Sequence, residues 1–455
     1  MASLPGEQGG RGFPAGHRKR PCRQDGGRGQ LTGTKNVLLV SFNSCHEPHY
    51  FSLALGYLKA YAVADPAVAK RFNIEIAEFC TKCNDPMQAV FYIANAKPDV
   101  VGLSCYCWNL EGMRHLADVL RTVLPETKIV AGGPEVSPVA EEFLTANPSV
   151  DVVVRGEGED TFRGLLAAWA EGEDLAGVAG VSYREGEHVF ANEDRPLIES
   201  LDEIPSPYLA GILKPRDQVT YLETYRGCPY ACGYCYEGKN YPRLRHFSTE
   251  RIKAEVELIA ESPQVRSFSF IDSVFNLTKE KLRVMAELLE PAASKGKTIH
   301  TVEVMTEHVD DETIALLLRA GAVSTETGPQ TTDECTIANI NRFFKKDKFA
   351  RGVRLMRDAG FKVLCDLIIG LPGDDFFSFC RSTRYILDLR PGTVVFSTLN
   401  VLPGTMLRDE AERFGLKFDE RAPHYILETE SFPFQEVRKA ELLAKSIEAE
   451  YRAAG

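Results

Sequence analysis

The chain has 455 residues, 44% of them hydrophobic and 26% charged, with a formal net charge of −11 at pH 7. That length exceeds one ordinary domain and predicts two domains with a tail, while the acidic balance excludes a general nucleic-acid binder, which needs a basic face to displace counterions. No apolar run approaches the roughly 20 residues of a membrane span, and the Arg-containing N-terminus lacks the apolar stretch of a secretory signal, so a cytoplasmic location is expected.

Residues 1–33 are rich in Gly and Arg and too poor in apolar side chains to offset ordering entropy, so they read as a disordered tail. From Asn36 short β-branched runs alternate with amphipathic stretches. Strands are expected at 37–41, 74–77, 100–104, 128–131 and 152–154, and helices at 53–62 and 113–124. This alternation predicts an α/β, doubly wound (Rossmann-like) parallel sheet. A hairpin over 180–183 and 188–190 closes a first domain at 34–200, and Ile204-Pro205-Ser206-Pro207 reads as the linker. Further strands at 219–224, 267–271, 299–304, 323–326, 363–369 and 394–399 predict a partial (β/α)6 barrel over 208–455, ending in C-terminal helices. Chemistry in such a barrel belongs at the C-terminal ends of the strands.

Twelve cysteines in a long chain without a secretory signal are better explained as reduced metal ligands or buried small hydrophobes than as a disulfide framework. Three fall within eight residues directly after a strand: Glu223-Thr-Tyr-Arg-Gly-Cys228-Pro-Tyr-Ala-Cys232-Gly-Tyr-Cys235-Tyr. One short loop can wrap a compact metal centre with them, Gly227 and Gly233 letting the backbone come close and Pro229 stiffening the turn. A structural zinc site needs four protein ligands, yet the next cysteine, Cys335, is a hundred residues on. Three thiolates leave one iron of a [4Fe–4S] cluster open, and an open iron can chelate the amino and carboxylate groups of S-adenosylmethionine (SAM).

The loop resembles the radical SAM superfamily, whose signature is CxxxCxxC with an aromatic residue before the last cysteine, here Tyr234. The resemblance implies a [4Fe–4S] cluster on Cys228, Cys232 and Cys235, reductive cleavage of SAM to a 5′-deoxyadenosyl radical, and hydrogen abstraction from a small-molecule substrate. Later strand ends agree. Asp272 to Asn276 is similar to the family's second strand, Glu326 to Gln330 to its E-[ST]-G-x-Q element, Asp366 to Gly373 to the segment along the adenine, and Leu402 to Thr405 to the turn after the sixth strand. By that resemblance Tyr234, Glu326, Arg342 and Asp366 are SAM contacts, with Arg342 gripping the carboxylate. An electron donor of flavodoxin or ferredoxin type is implied, and a separate reductase could complete the product.

The first domain resembles the B12-binding module that precedes many radical SAM domains, through Leu55-Gly-Tyr-Leu-Lys59, Val101 to Asn109, Gly132-Gly133-Pro134-Glu135 and Arg155-Gly-Glu-Gly158-Glu159. The resemblance assigns Ser104, Gly132, Gly133 and Gly156 to a cobalamin nucleotide tail. No DxHxxG supplies a histidine for cobalt, and the loops Cys45-His46-Glu47-Pro48-His49-Tyr50 and Cys105-Tyr106-Cys107-Trp108 are bulky where a cofactor must settle, so cobalamin and a bare scaffold both stay open. Cys80-Thr-Lys-Cys83 raises a second metal site against simple burial.

Two reactions follow. Radical dehydration of a hydroxylated, sugar-like or aminocyclitol-like metabolite needs an acid or base, with Glu303, Asp272, Tyr221 and Tyr225 as candidates. A similarity to radical SAM diol-dehydratases of aminoglycoside antibiotic biosynthesis makes this lyase chemistry the first expectation. Cobalamin-dependent methyl transfer to an unactivated carbon or phosphorus is the alternative, and a cluster-based sensor without catalysis is the reading from another class.

Overall fold

The structure is a computed structural model that describes residues 33–43, 52–80, 86–237 and 243–454. The expected tail lies, but for Gly33, outside these residues, as do His46, His49 and Cys83. The N-terminal half is one seven-stranded sheet in the order β2-β1-β3-β4-β5-β6-β7. β1 (Lys35–Asn43), β2 (Phe72–Cys80), β3 (Val100–Ser104), β4 (Lys128–Gly132) and β5 (Val152–Val154) run parallel. β6 (Val181–Glu185) and β7 (His188–Ala191) add an antiparallel hairpin at one edge. β3 is buried at every position, as expected of a central strand covered on both faces. Helices Leu53–Ala64 and Gly158–Glu171 pack through Leu55, Phe162 and Leu165 on one face, and Pro86–Ala96, Leu110–Val123 and Ala140–Ala146 through Ile93, Met113 and Leu144 on the other. Strand order reverses at β1 and β3, and a ligand crevice belongs at the C-terminal edge there.

The second half is an open barrel of six parallel strand positions. β8 (Tyr221–Leu222) pairs with β11 (Ser267–Phe270) and β11 with β12 (Thr298–Ile299). β13 (Val302–Glu303), β14 (Ser324–Gln330), β15 (Lys362–Ile369) and β16 (Thr393–Thr398) follow in register. The third strand, expected whole at 299–304, is broken into β12 and β13. The first is shorter than expected, because the Thr224 N–H donates to the Asp272 carboxylate at 2.8 Å rather than to a neighbouring strand. Between them β9 (Tyr225–Arg226) and β10 (Arg245–His246) form an antiparallel ribbon that the sequence did not announce.

The expected linker is not a flexible tether. Ile204 is fully buried, and the barrel core runs without interruption from Leu53 and Tyr57 through Ile198, Leu201, Ile204 and Tyr208 to Phe268 and Phe275. Residues 34–455 accordingly form one compact unit. Proline stopped regular structure at 205 and 207, but apolar neighbours drew the segment into the core.

Candidate functional site

Gly227, at φ +102°, turns the chain out of β9 into the cysteine loop. The loop is pinned from two sides. The Gly233 N–H donates to the Ile340 carbonyl at 2.7 Å, and its own carbonyl accepts from the Leu407 N–H at 2.9 Å. A Cβ on Gly233 would stand 2.3 Å from Met406 Cε, so a side chain there would displace the end of Met406. Asn341 Nδ2 donates to the Ala231 carbonyl at 2.9 Å. Cys228, Cys232 and Cys235 are all free thiols. Burial pushes the Cys235 thiol up to about 11, aided by the neighbouring Cys232 and Cys228. Among the described residues no group of His, Cys, Asp or Glu is gathered tightly enough to share a single metal ion. Cys105 is buried, and burial pushes its thiol up to about 12. Cys80 is disulfide-bonded, its partner outside the described residues.

Arg342 overhangs the loop. Its guanidinium donates to Cys232 Sγ at 3.6 Å and to the Gly328 carbonyl at 2.7 Å, while its Nε is buried without an acceptor among the described residues. A buried donor left unpaired is costly, and a carboxylate arriving at the cluster would satisfy it, so the position fits SAM. Tyr234 lies beside Cys232 and Arg342, and burial raises its phenol. Across the barrel hollow, Glu303 ends β13, and Glu326 and Asp366 lie within the adjacent β14 and β15, with Glu303 opposite Glu326 in register. Glu303 is open to the hollow, yet the surrounding protein desolvates it, and with Glu326 beside it the carboxyl rises to about 7. Burial, Glu326 and Glu303 together push Asp366 to about 8. These carboxyls gain charge as pH rises through 7 to 8, and a bound cation favours the charged form. SAM carries a sulfonium, so its affinity should rise about tenfold between about pH 6 and about pH 8.5. Equilibrium binding on cluster-loaded protein measures this, and a flat or falling profile would separate these carboxyls from SAM.

The other expected acid–base groups are placed differently. Asp272 is 3% exposed, and its oxygens accept from the Thr224 N–H and hydroxyl and from Lys281 Nζ at 3.4 Å. Tyr225 donates to the Val274 carbonyl at 2.9 Å and accepts from the Val274 N–H at 2.8 Å, with Lys281 over its ring. Both hold the flank of the cysteine loop through these bonds, and Tyr225 also lines the cavity over the C-terminal edge of the sheet. Tyr221 packs against the barrel core. Of the four, Glu303 alone reaches the hollow.

A cavity of about 300 Å³ lies over the C-terminal edge of the sheet, lined among others by Gly102, Ser104, Gly132, Gly133, Val154, Gly156 and Phe162, and closed from the barrel side by Tyr225, Gly227, Tyr236 and Ser273. Most of its wall is aliphatic or glycine, which suits a flat aromatic tail. Gly133, at φ +118°, would put a Cβ 2.4 Å from the Cys105 carbonyl oxygen, so no side chain fits there. All four residues assigned to a nucleotide tail line this one space. The bulk expected of the third loop does not fill it: Tyr106 and Trp108 stack on each other with centroids 4.4 Å apart, Tyr106 at the cavity wall and Trp108 half exposed. These residues fit cobalamin. What sequence reasoning missed is the barrel's share of the cavity, Tyr236 and Glu237 just past the last cysteine, and the buried ionic contacts of Glu157 and Glu159 with Arg226. The Arg155-Gly-Glu-Gly158-Glu159 run was the available signal for the last of these.

The B12 binding domain family matches residues 55–166 and the radical SAM superfamily matches 222–384. The chain is 34% identical over 268 residues to the 2-(S-pantetheinyl)-carbapenam-3-carboxylate methyltransferase of Streptantibioticus cattleyicolor, covering 56% of this chain and 39% of that protein. It is 28% identical to the cobalamin-dependent radical SAM methyltransferase TokK of Streptomyces tokunonensis, covering 83% and 58%. This chain thus spans about two fifths to three fifths of those relatives' lengths. The radical SAM methyltransferase TsrM from Kitasatospora setae, solved with cobalamin and a [4Fe–4S] cluster, has the same fold, with a TM-score of 0.70 at 18% identity over 90% of this chain and 89% of that one. The domains imply a [4Fe–4S] cluster, SAM and cobalamin as cofactors. No helix among the described residues is long and apolar enough to cross a membrane. The two family matches fall separately on the sheet that builds the cavity and on the barrel that carries the cysteine loop, so the chain carries a B12-binding domain followed by a radical SAM domain.

Proposed function

We propose that this protein is a cobalamin-dependent radical SAM methyltransferase acting on an unactivated carbon or phosphorus of a small metabolite. The observation that carries the reading is the glycine-lined cavity, whose barrel-side wall is the flank of the cysteine loop itself. A cofactor seated there adjoins the place where SAM is cleaved. Cobalamin, when bound, supplies the methyl group, and SAM at the cluster supplies the hydrogen-abstracting radical. The chain's own work is to hold and shield: Arg342 grips the SAM carboxylate, Glu303, Glu326 and Asp366 offset its positive charge, and the cavity, lined mainly by aliphatic residues and glycines with Arg226, Glu157, Glu159, Glu223 and Glu237 among them, shelters the cofactor. Each turnover uses two SAM molecules and two electrons, for which a donor of flavodoxin or ferredoxin type is proposed.

Dehydration, the reading favoured from sequence, loses support on two counts. The relatives named above are methyltransferases, and Asp272 and Tyr225 are consumed by structural hydrogen bonds. The relative at 34% identity makes a carbapenam carboxylate the first substrate class to assay and supports a role in antibiotic-type metabolism. The test is product analysis on anaerobically reconstituted, cobalamin-loaded protein. Methyl transfer yields S-adenosylhomocysteine and 5′-deoxyadenosine in equal amounts. Deoxyadenosine without S-adenosylhomocysteine would return the case to dehydration, and no SAM cleavage with any substrate would favour a sensor.

Removing the Arg342 side chain should raise the dissociation constant for SAM roughly 10- to 100-fold, the worth of a charge-assisted hydrogen bond to a carboxylate. Iron content should not change. Equilibrium binding on Arg342→Ala checks this, and unchanged affinity would remove the residue from the site.

A further inference from the structure

Arg226 stands two residues before Cys228, yet its side chain turns away from the cysteine loop and reaches the N-terminal half. Nη1 lies 2.9 Å from Glu157 and Nη2 lies 2.7 Å from Glu159, both on the turn that starts helix Gly158–Glu171. Nε meets Glu223, at the head of the same barrel segment, at 3.1 Å. All four side chains are at most 12% exposed. Glu157 is shared: Arg245, paired with Arg226 in the β9–β10 ribbon, grips it through Nη1 at 2.9 Å and Nη2 at 2.8 Å, and the Ile198 N–H donates to it at 3.1 Å. Burial alone would raise the Glu157 carboxyl, but the hydrogen bonds and charges of the two arginines win and lower it, so it stays ionised.

A guanidinium offers its donors in one rigid plane. Three carboxyl groups on its three nitrogens therefore fix that plane, and with it the backbones that carry them, although burial pushes Glu223 up to about 7 against the pull of Arg226. Here those backbones are the strand end that feeds the cluster loop and the turn whose Gly156 and Gly158 line the cobalamin cavity. A clamp made only to stabilise the fold could sit anywhere along the interface. This one joins the two segments that hold the two cofactors.

We propose that Arg226 is a positioning residue, clamped by Glu157, Glu159 and Glu223, that holds the cluster loop and the cobalamin-cavity turn in one rigid relation and thereby couples radical formation to methyl transfer. The coupling half rests on the function proposed above; the rigid relation does not.

The test uses the full chain with Arg226→Gln and, from the opposite side of the interface, Glu159→Gln. In cofactor-free protein, each variant should lose amide-exchange protection in both segments, 155–159 and 224–228, by about tenfold or more. In loaded protein, methylated product per deoxyadenosine should fall about tenfold or more while KM for SAM moves less than about threefold, since misplacement affects the step between the cofactors and not SAM binding. The double variant should be no worse than the worse single one. Exchange that changes only in the segment carrying the substitution would overturn the clamp, and so would a product ratio that stays at the wild-type value. Should Arg226→Gln fail to hold iron, Glu159→Gln decides, because its substitution lies outside the loop. If wild-type protein makes no S-adenosylhomocysteine, the proposed function fails and exchange alone judges the clamp.

Discussion

Replacing any one of Cys228, Cys232 and Cys235 by Ala should lower SAM cleavage by at least about a thousandfold, or about 4 kcal/mol in barrier height. The size of the effect follows from the kind of group removed. The difficult chemistry belongs to the cluster, and the chain's contribution to it is three thiolates in one loop. Cys335, a hundred residues along the chain and exposed, is in no position to substitute. The loop itself should survive, because its anchors are backbone contacts from Gly233 to Ile340 and Leu407 and the Asn341 contact to Ala231. Iron analysis, the cluster's visible absorption and deoxyadenosine formation check the three together. Wild-type cleavage in a triple-alanine variant would end the assignment.

The second large effect is expected at Gly132. A Cβ there would meet Val154 oxygen at an ordinary 3.5 Å, so the backbone tolerates a side chain. A leucine's remaining atoms would instead occupy part of a cavity of about 300 Å³. Gly132→Leu should keep the fold and the cluster and weaken cobalamin binding by roughly 100-fold, the scale of overpacking a filled site. Uncoupled deoxyadenosine should still form. Cobalamin titration followed by absorbance reads the affinity directly. Unchanged uptake would place the cofactor elsewhere and remove the observation on which methyl transfer rests.

The cofactor chemistry was legible in the sequence because its ligands are local. Cys228, Cys232 and Cys235 share one loop, so spacing alone sets how they can meet a metal. The parallel sheet was legible for the same reason, since each strand and helix announces itself within a few residues. Boundaries were less so: β8 and the β12–β13 break depend on which partner a backbone N–H finds, and Thr224 found Asp272.

Side-chain size weighed for dehydration over methyl transfer, and the structure removes that weight. Tyr106 and Trp108 are bulky, but bulk excludes a cofactor only where it points into the cofactor's space, and these rings stack on each other. Asp272 looked like a strand-end acid, and a buried set of donors makes it a structural acceptor instead. Neither outcome is written in residue type.

By itself, then, the sequence determined the two-part α/β architecture, the three-thiolate loop and the glycines that leave room at the sheet edge, because short-range spacing and hydrophobic period act within single elements. The tertiary structure alone decided which carboxylates face the barrel hollow, that the two halves share a core through Ile204, that the cavity is walled by both of them, and that Arg226 is tied to Glu157 and Glu159. Those outcomes hang on burial and charge pairing between residues about seventy positions apart, where desolvation leaves an ion stable only if its partners arrive from elsewhere in the chain.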